Sequence, residues 1–365
     1  MCVHEHLAGN RAIVSRQTLE VLNRFEEVRE VPDGQPGLDR LLDLGFLLEE
    51  GREMRPVEAK LFSRVLPTMF GCPAWRPGEP ADFALLGVAQ DGGNLAAPGA
   101  RYGPDALRQA SAIYPMATSS RAAGEAAGLV DHDAGVRILT GARLRDAGEV
   151  YLPPGASAEE SGRRVTQAVR RLASSGTRPV VMGGDHSLTF AAVRGLLSGP
   201  VGILHLDAHS DAAAHCPGLP HHYGNVMSRI IADLGVSTVI HVGVRGLGQA
   251  ELSQPPCRKA FPPSWLRSHS MGDLLAEIDP NLSWYVSVDI DVVDPAFAPG
   301  TATPVAGGLT VPETKALLRA VGQARVCVGC DLVEVNPHFD RNRVTATLGC
   351  ELLLTLMGGF WRGEP

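Results

Sequence analysis

Three short stretches of this 365-residue chain combine residue types that bind cations. In Ile203-Leu204-His205-Leu206-Asp207-Ala208-His209-Ser210-Asp211, an apolar run ends in Asp-x-His-x-Asp. Side chains alternate along an extended segment, so Asp207, His209 and Asp211 fall on one side and can converge. A second apolar run, Trp284 to Val288, ends in Asp289-Ile290-Asp291, and a third, Pro179 to Met182, ends in Gly183-Gly184-Asp185-His186-Ser187. Singly, the third could be a capped turn and the second a solvated strand end. Together they present His186, Asp207, His209, Asp211, Asp289 and Asp291. Carboxylates gathered away from water repel one another and take up protons unless a cation neutralises them. An oxygen-rich set with imidazoles and no thiolate favours Mn²⁺ over a closed structural Zn²⁺ site. Six ligands are too many for one open catalytic ion but suit two ions sharing carboxylates, roughly 3.5–4 Å apart in such sites. The chemistry on offer is hydrolysis by a water activated at neutral pH.

The elements that must carry these ends are legible in the same runs. Short β-type stretches (83–88, 178–182, 201–206, 238–244, 284–288, 326–328) alternate with helical patterns such as 105–112 and 188–197. The β-type runs are continuously apolar, as expected of strands covered on both faces. The expectation is a three-layer α/β/α domain with a mainly parallel sheet over residues 82–365, with ligands at the carboxyl ends of its strands. Residues 1–60 read as a small helical module, with Leu19, Leu22 and Phe25 and then Leu38, Leu41 and Leu42 at helical spacing. The Pro- and Gly-rich stretch within 61–81 reads as a linker or an ordered arm.

Composition excludes several classes. Net charge is −7, and residues 11–60 hold eight Lys and Arg against eleven Asp and Glu, the wrong balance for a DNA reader. No window approaches the ~18 apolar residues of a membrane span, and the first residues lack the pattern of an export signal. No nucleic-acid or membrane partner is expected, and the cytoplasm is the default location. Seven scattered cysteines read as reduced thiols, the Cys327-Val328-Gly329-Cys330 pair included.

The three metal-type segments, in this order, resemble those of the ureohydrolase family of arginases and agmatinases. Pro98-Gly99-Ala100-Arg101-Tyr102-Gly103-Pro104, Gly243-Val244-Arg245, Ala298-Pro299-Gly300-Thr301 and Asp331-Leu332-Val333-Glu334-Val335-Asn336-Pro337 add to the likeness and place it nearest the agmatinase branch. The resemblance covers about 82–356. It implies two Mn²⁺, one held by His186, Asp207, Asp211 and Asp289 and the other by Asp207, His209, Asp289 and Asp291. It implies release of urea from a guanidino compound, with Glu334 accepting hydrogen bonds from the guanidinium and a histidine returning a proton to the departing amine. It also implies a trimeric or hexameric homo-oligomer.

The chain departs from the family in three places. The shuttle histidine usually stands directly before a Gly, where this chain has Tyr223, so His222 is the candidate. In Ala89-Gln90-Asp91-Gly92-Gly93-Asn94-Leu95-Ala96-Ala97-Pro98-Gly99, Ala97 occupies a place usually held by Arg. That loop shapes the rim of the family's site, Asn94 is its candidate substrate-binding residue, and agmatine itself becomes less certain than a larger guanidino metabolite. The N-terminal module is the third departure. Competing readings are a formimino or ureido hydrolase using the same metals, and a metal-binding regulatory protein; a single-Zn²⁺ deacetylase fits the second histidine-bearing set poorly.

Overall fold

The computed structural model describes residues 2–4, 11–13, 60–94, 97–114, 127–213, 220–247 and 258–361. The chain divides into two compact units, Met1–Ser63 and Arg64–Pro365. In the first, Cys2–His4 pairs antiparallel with Arg11–Ile13. The helical patterns expected at 19–25 and 38–42 lie outside the described residues.

The second unit is built on parallel strands: β1 (Phe83–Gly87), β2 (Leu144–Val150), β3 (Arg178–Met182), β4 (Val201–Leu206), β5 (Val239–Val242), β6 (Arg258–Phe261), β7 (Ser283–Asp289) and β8 (Val326–Val333). Their order across the sheet is β2-β1-β3-β8-β7-β4-β5-β6, and every pairing is parallel. β1, β4 and β5 are buried at every position, which requires cover on both faces. The cover comes from two helix groups. α1 (Gly103–Ala110), α7 (Val311–Ala324) and α8 (Val344–Phe360) pack together, and so do α2 (Ala158–Ala173), α3 (Thr189–Leu196) and α4 (Val226–Leu234). The expected three-layer α/β/α fold is therefore present. Two short helices, α5 (Pro263–Ser268) and α6 (Met271–Glu277), lie between β6 and β7 in the chain.

Helix ends follow local chemistry. Thr310 and Glu313 form a capping box at the start of α7, with Pro312 in its first turn, and the Ser157 hydroxyl accepts the Glu160 N–H at the start of α2. α8, Val-Thr-Ala-Thr-Leu-Gly-Cys-Glu-Leu-Leu-Leu-Thr-Leu-Met-Gly-Gly-Phe, is apolar around most of its circumference and is almost wholly buried. Within the second unit, Met69, Phe70 and Cys72 belong to the hydrophobic core. The Met69 N–H donates to Asp146 Oδ2 at 2.6 Å and the Phe70 N–H to Ser111 Oγ at 2.8 Å, so this stretch is an ordered arm. Among the described residues, no helix is long and apolar enough to cross a membrane.

The sheet's order places β3, β8, β7 and β4 side by side in its middle, and the chain leaves all four at the same edge. The exit from β3 is held by a backbone contact that only glycine permits. A Cβ on Gly184 would lie 1.6 Å from the Gln90 carbonyl oxygen, which also accepts the Asp185 N–H at 3.0 Å. Gly184→Ala should therefore cost about 3 kcal/mol or more in urea-denaturation free energy, because backbone, not a side-chain end, must move; an unchanged midpoint would contradict this packing.

Candidate metal centre

The ends of the four central strands bring the expected ligands together. His186 follows β3, Asp207 follows β4, Asp289 closes β7 and Glu334 follows β8. His186 Nδ1 lies 3.1 Å from Asp207 Oδ2, 3.1 Å from Asp211 Oδ2 and 3.4 Å from Asp289 Oδ2. His209 Nδ1 lies 3.3 Å from Asp207 Oδ1 and 3.0 Å from Asp291 Oδ2. All are buried except His209, whose side chain is 37% exposed.

These approaches are not ordinary hydrogen bonds. His186 Nδ1, Asp207 Oδ2 and Asp291 Oδ2 are buried and make none, although each has a polar neighbour within reach. Lone pairs that point at a common centre rather than at one another are what metal ligands present, so the donor set fits a cation. Two groups could hold one: His186, His205, Asp207 and Asp211, and then Asp207, His209 and Asp291. Asp207 belongs to both. His205 in the first group was not foreseen as part of the centre, and Asp289 stands slightly further back than Asp207 and Asp211.

Protonation follows from the crowding. Burial, then the charges of Asp291 and Asp207, push Asp289 well above the usual carboxylate range; burial and Asp207 push Asp291 up to about 6. Burial opposes charge on His209, but Asp207 and Asp291 outweigh it and push that imidazole up to about 11. Burial likewise opposes charge on His186, and Asp207, Asp211 and Asp289 outweigh it.

Supporting bonds fix the ligands. His186 Nε2 lies 2.8 Å from Ser287 Oγ, which donates to Asp331 Oδ1 at 2.6 Å. The hydroxyl proton is spoken for, so His186 Nε2 donates and Nδ1 is left with its lone pair toward the centre. Asp331 Oδ2 also accepts from Tyr285 and Thr189, at 2.8 and 2.7 Å. Asp207 Oδ1 accepts the His209 N–H at 2.5 Å, Asp289 Oδ1 the Asp291 N–H at 2.9 Å, and Asp291 Oδ1 the Ala208 N–H at 2.9 Å. Ser287, Asp331, His205 and His241 escaped the sequence reading, yet each is flanked by apolar neighbours in its strand, and a buried polar group needs a partner.

Glu334 adopts a left-handed backbone, φ 61°, as does Asp211, φ 45°. Non-glycine residues hold that conformation at a cost of order 1–3 kcal/mol, and it collects at functional sites. Glu334 Oε1 accepts the His186 N–H at 2.9 Å, whereas Oε2 is buried and makes no hydrogen bond. Burial, then the charge of Asp185, push its carboxyl well up. His222 Nδ1 accepts the Gly224 N–H at 3.0 Å, and its ring stacks on Tyr223 at 4.3 Å. The Tyr223 phenol is pushed up by burial and then by Glu334 and Asp211, which places it beside the centre. Asn94 is buried, and its side-chain oxygen accepts the Ala97 N–H at 3.1 Å. The surrounding loop is pinned by Asp185 Oδ2, which accepts the Gly93 N–H at 2.6 Å, and by Asp91 Oδ2, which accepts the Gly99 N–H at 2.7 Å.

Comparison with known proteins agrees with this geometry. The arginase family model matches residues 81–358. The mitochondrial agmatinase of Gallus gallus is 32% identical over 302 residues, covering 80% of this chain and 84% of that protein. The proclavaminate amidinohydrolase of Streptomyces clavuligerus is 34% identical over 82% of this chain and 94% of its own length. The solved structure of a proclavaminate amidino hydrolase from the same organism superposes with a TM-score of 0.68 over 82% of this chain and 98% of that one, at 31% identity.

In the metal-free protein the proton on Asp291, present below about 6, and that on His209, present to about 11, must leave before a cation enters. Mn²⁺ affinity should therefore rise with pH, by about tenfold per pH unit for each proton displaced. Titration calorimetry in buffers of different ionisation heat measures that release, and an affinity flat from pH 5.5 to 8 would sink this account of the centre.

Proposed function

The chain belongs to the arginase family, and from that premise we propose that it is a dinuclear-manganese hydrolase that releases urea from a guanidino compound and leaves an amine. The observation that carries the reading is Glu334. Its unpartnered, buried Oε2 stands beside the ligand cluster while Oε1 is tied to the backbone of His186. A carboxylate so placed suits a planar cation, since charge-assisted bonds to a guanidinium are strong and directional.

His186, Asp207, His209, Asp211, Asp289 and Asp291 would hold two Mn²⁺. When bound, the metal pair supplies a nucleophile from water at neutral pH and positive charge opposite the developing intermediate. The protein's own residues do the rest. Glu334 fixes the guanidinium so that its trigonal carbon faces the cluster, and the surrounding carboxylates favour a cationic group there. His222 accepts the Gly224 N–H at Nδ1, which leaves the hydrogen of the neutral ring on Nε2. In our reading the imidazolium of His222, formed when Nδ1 exchanges the Gly224 contact for a proton from solvent, gives its Nε2 hydrogen to the departing amine and returns to the neutral ring. Asn94 acts on the substrate through the shape of its loop.

The substrate class runs from agmatine to larger guanidino metabolites, and the absent Arg at Ala97 favours the larger ones. Described cysteines at positions 72, 327, 330 and 350 are buried free thiols, consistent with a reducing compartment, in our reading the cytoplasm. We also read the protein as a homo-oligomer, which its mass in solution tests.

The experiment is urea release by the Mn²⁺-loaded protein from agmatine, arginine, 4-guanidinobutyrate and a larger guanidino amide. We expect urea from at least one, abolished in Asp207→Asn. Glu334→Gln should lower kcat/KM by roughly a hundredfold or more, and His222→Ala should lower kcat by about 10²–10⁴-fold. Formamide released from an N-formimino compound added to the panel, with no urea from the guanidino compounds, would move the assignment to a formimino hydrolase, and full activity in Glu334→Gln would remove the anchor on which the reading rests.

A further inference from the structure

Four neighbouring strands each carry one polar side chain at the same level of the sheet. His241 of β5 pairs in register with His205 of β4, His205 with Ser287 of β7, and Ser287 with Asp331 of β8. All four are buried, inside runs that are otherwise apolar. Ser287 and Asp331 are accounted for by the ring of His186. The other half of the row, His205 and His241, serves no step described so far.

His205 reaches upward to the centre: its Nε2 lies 2.9 Å from Asp207 Oδ2, and its ring centroid 4.9 Å from that of His186. Its Nδ1 lies 2.8 Å from Nδ1 of His241. Two Nδ1 atoms at that distance share a hydrogen in one direction or the other. A bare Nε2 lone pair would be repelled by a carboxylate oxygen in this dry interior, so Nε2 carries the hydrogen and Nδ1 accepts. His241 Nδ1 is then the donor, and it sets the tautomer of its neighbour. The Nε2 contact lies off hydrogen-bond geometry, so it steadies Oδ2 as an oriented dipole rather than as a linear bond. His205 also lies two residues before Asp207 on the same side of β4, one level deeper in the sheet than the ligands.

We propose that His205, oriented by His241, is a positioning residue of the metal centre, holding Asp207 Oδ2 where that carboxylate is shared between the two ligand groups. This rests on the metal-centre reading above. It assigns to two interior histidines the task that Ser287 and Asp331 perform for His186, so that both walls of the centre are braced from the same row.

The test is Mn²⁺ binding, by equilibrium dialysis with metal analysis, for the wild type, His205→Gln, His205→Leu and His241→Leu. Gln retains a side-chain N–H of similar reach, so His205→Gln should bind within about threefold of wild type, whereas His205→Leu should bind roughly 10–100-fold more weakly with the wild-type metal content at saturation. His241→Leu should weaken binding in the same direction by a smaller factor. Wild-type affinity in His205→Leu would overturn the proposal, as would loss of a metal equivalent at saturation in His205→Gln, which would make His205 a ligand. Should His205→Leu fail to fold, wild-type affinity in His241→Leu overturns it instead. A wild-type protein that binds no Mn²⁺ would overturn the metal-centre reading itself.

Discussion

Everything at the carboxyl edge of the sheet is arranged around one electrostatic constraint: Asp289 and Asp291 are buried so close to other carboxylates that like charge favours their protonated forms. Asp207, Asp289 and Asp291 lie within one buried cluster, and burial raises the protonation of the latter two while His186 and His209 are drawn toward the charged form. No apolar packing could offset such a group of like charges. A cation held by the cluster would offset that cost with its own binding free energy. Four adjacent parallel strands are the economical way to build it, since each delivers its last residue to the same edge without a long loop.

The candidate ligands were legible as a cluster because they follow a simple rule: polar residues directly after an apolar strand-forming run. Asp207, His209 and Asp211 alternate, Asp289 and Asp291 alternate, and both sets sit at strand ends where the sheet requires them. The sheet and its two helix layers were legible for the same reason, in the continuous runs of β1, β3, β4 and β7. β2 was missed because Leu-Arg-Asp-Ala-Gly-Glu-Val carries charges in its middle, and only the partners explain them. Arg108 binds Asp146 at 3.0 Å and Glu149 at 2.9 Å, across a separation no local pattern reveals. The amphipathic helix α2 and the apolar helix α8 were missed too.

The supporting residues were hidden for a different reason. Ser287, Asp331, His205 and His241 each look like one irregularity in a strand, and their meaning comes from register across neighbours. Glu334 could be assigned only through a family motif, since nothing local announces that its backbone turns left-handed or that one of its oxygens is left without a partner. Likewise, the capping role of His222 Nδ1 depends on the turn that follows it.

The rim loop after β1 divides its labour in a way that bears on how such a site can diverge. Asp91 and Asp185 hold its ends through the Gly93, Gly99 and Arg101 N–H groups, all contacts turned inward. Asn94 adds to that frame, its side-chain oxygen accepting the Ala97 N–H at 3.1 Å. Under the proposed reading, a change of side chain at Ala97 would leave these inward anchors untouched, so substrate preference could drift there while the cluster below is inherited intact.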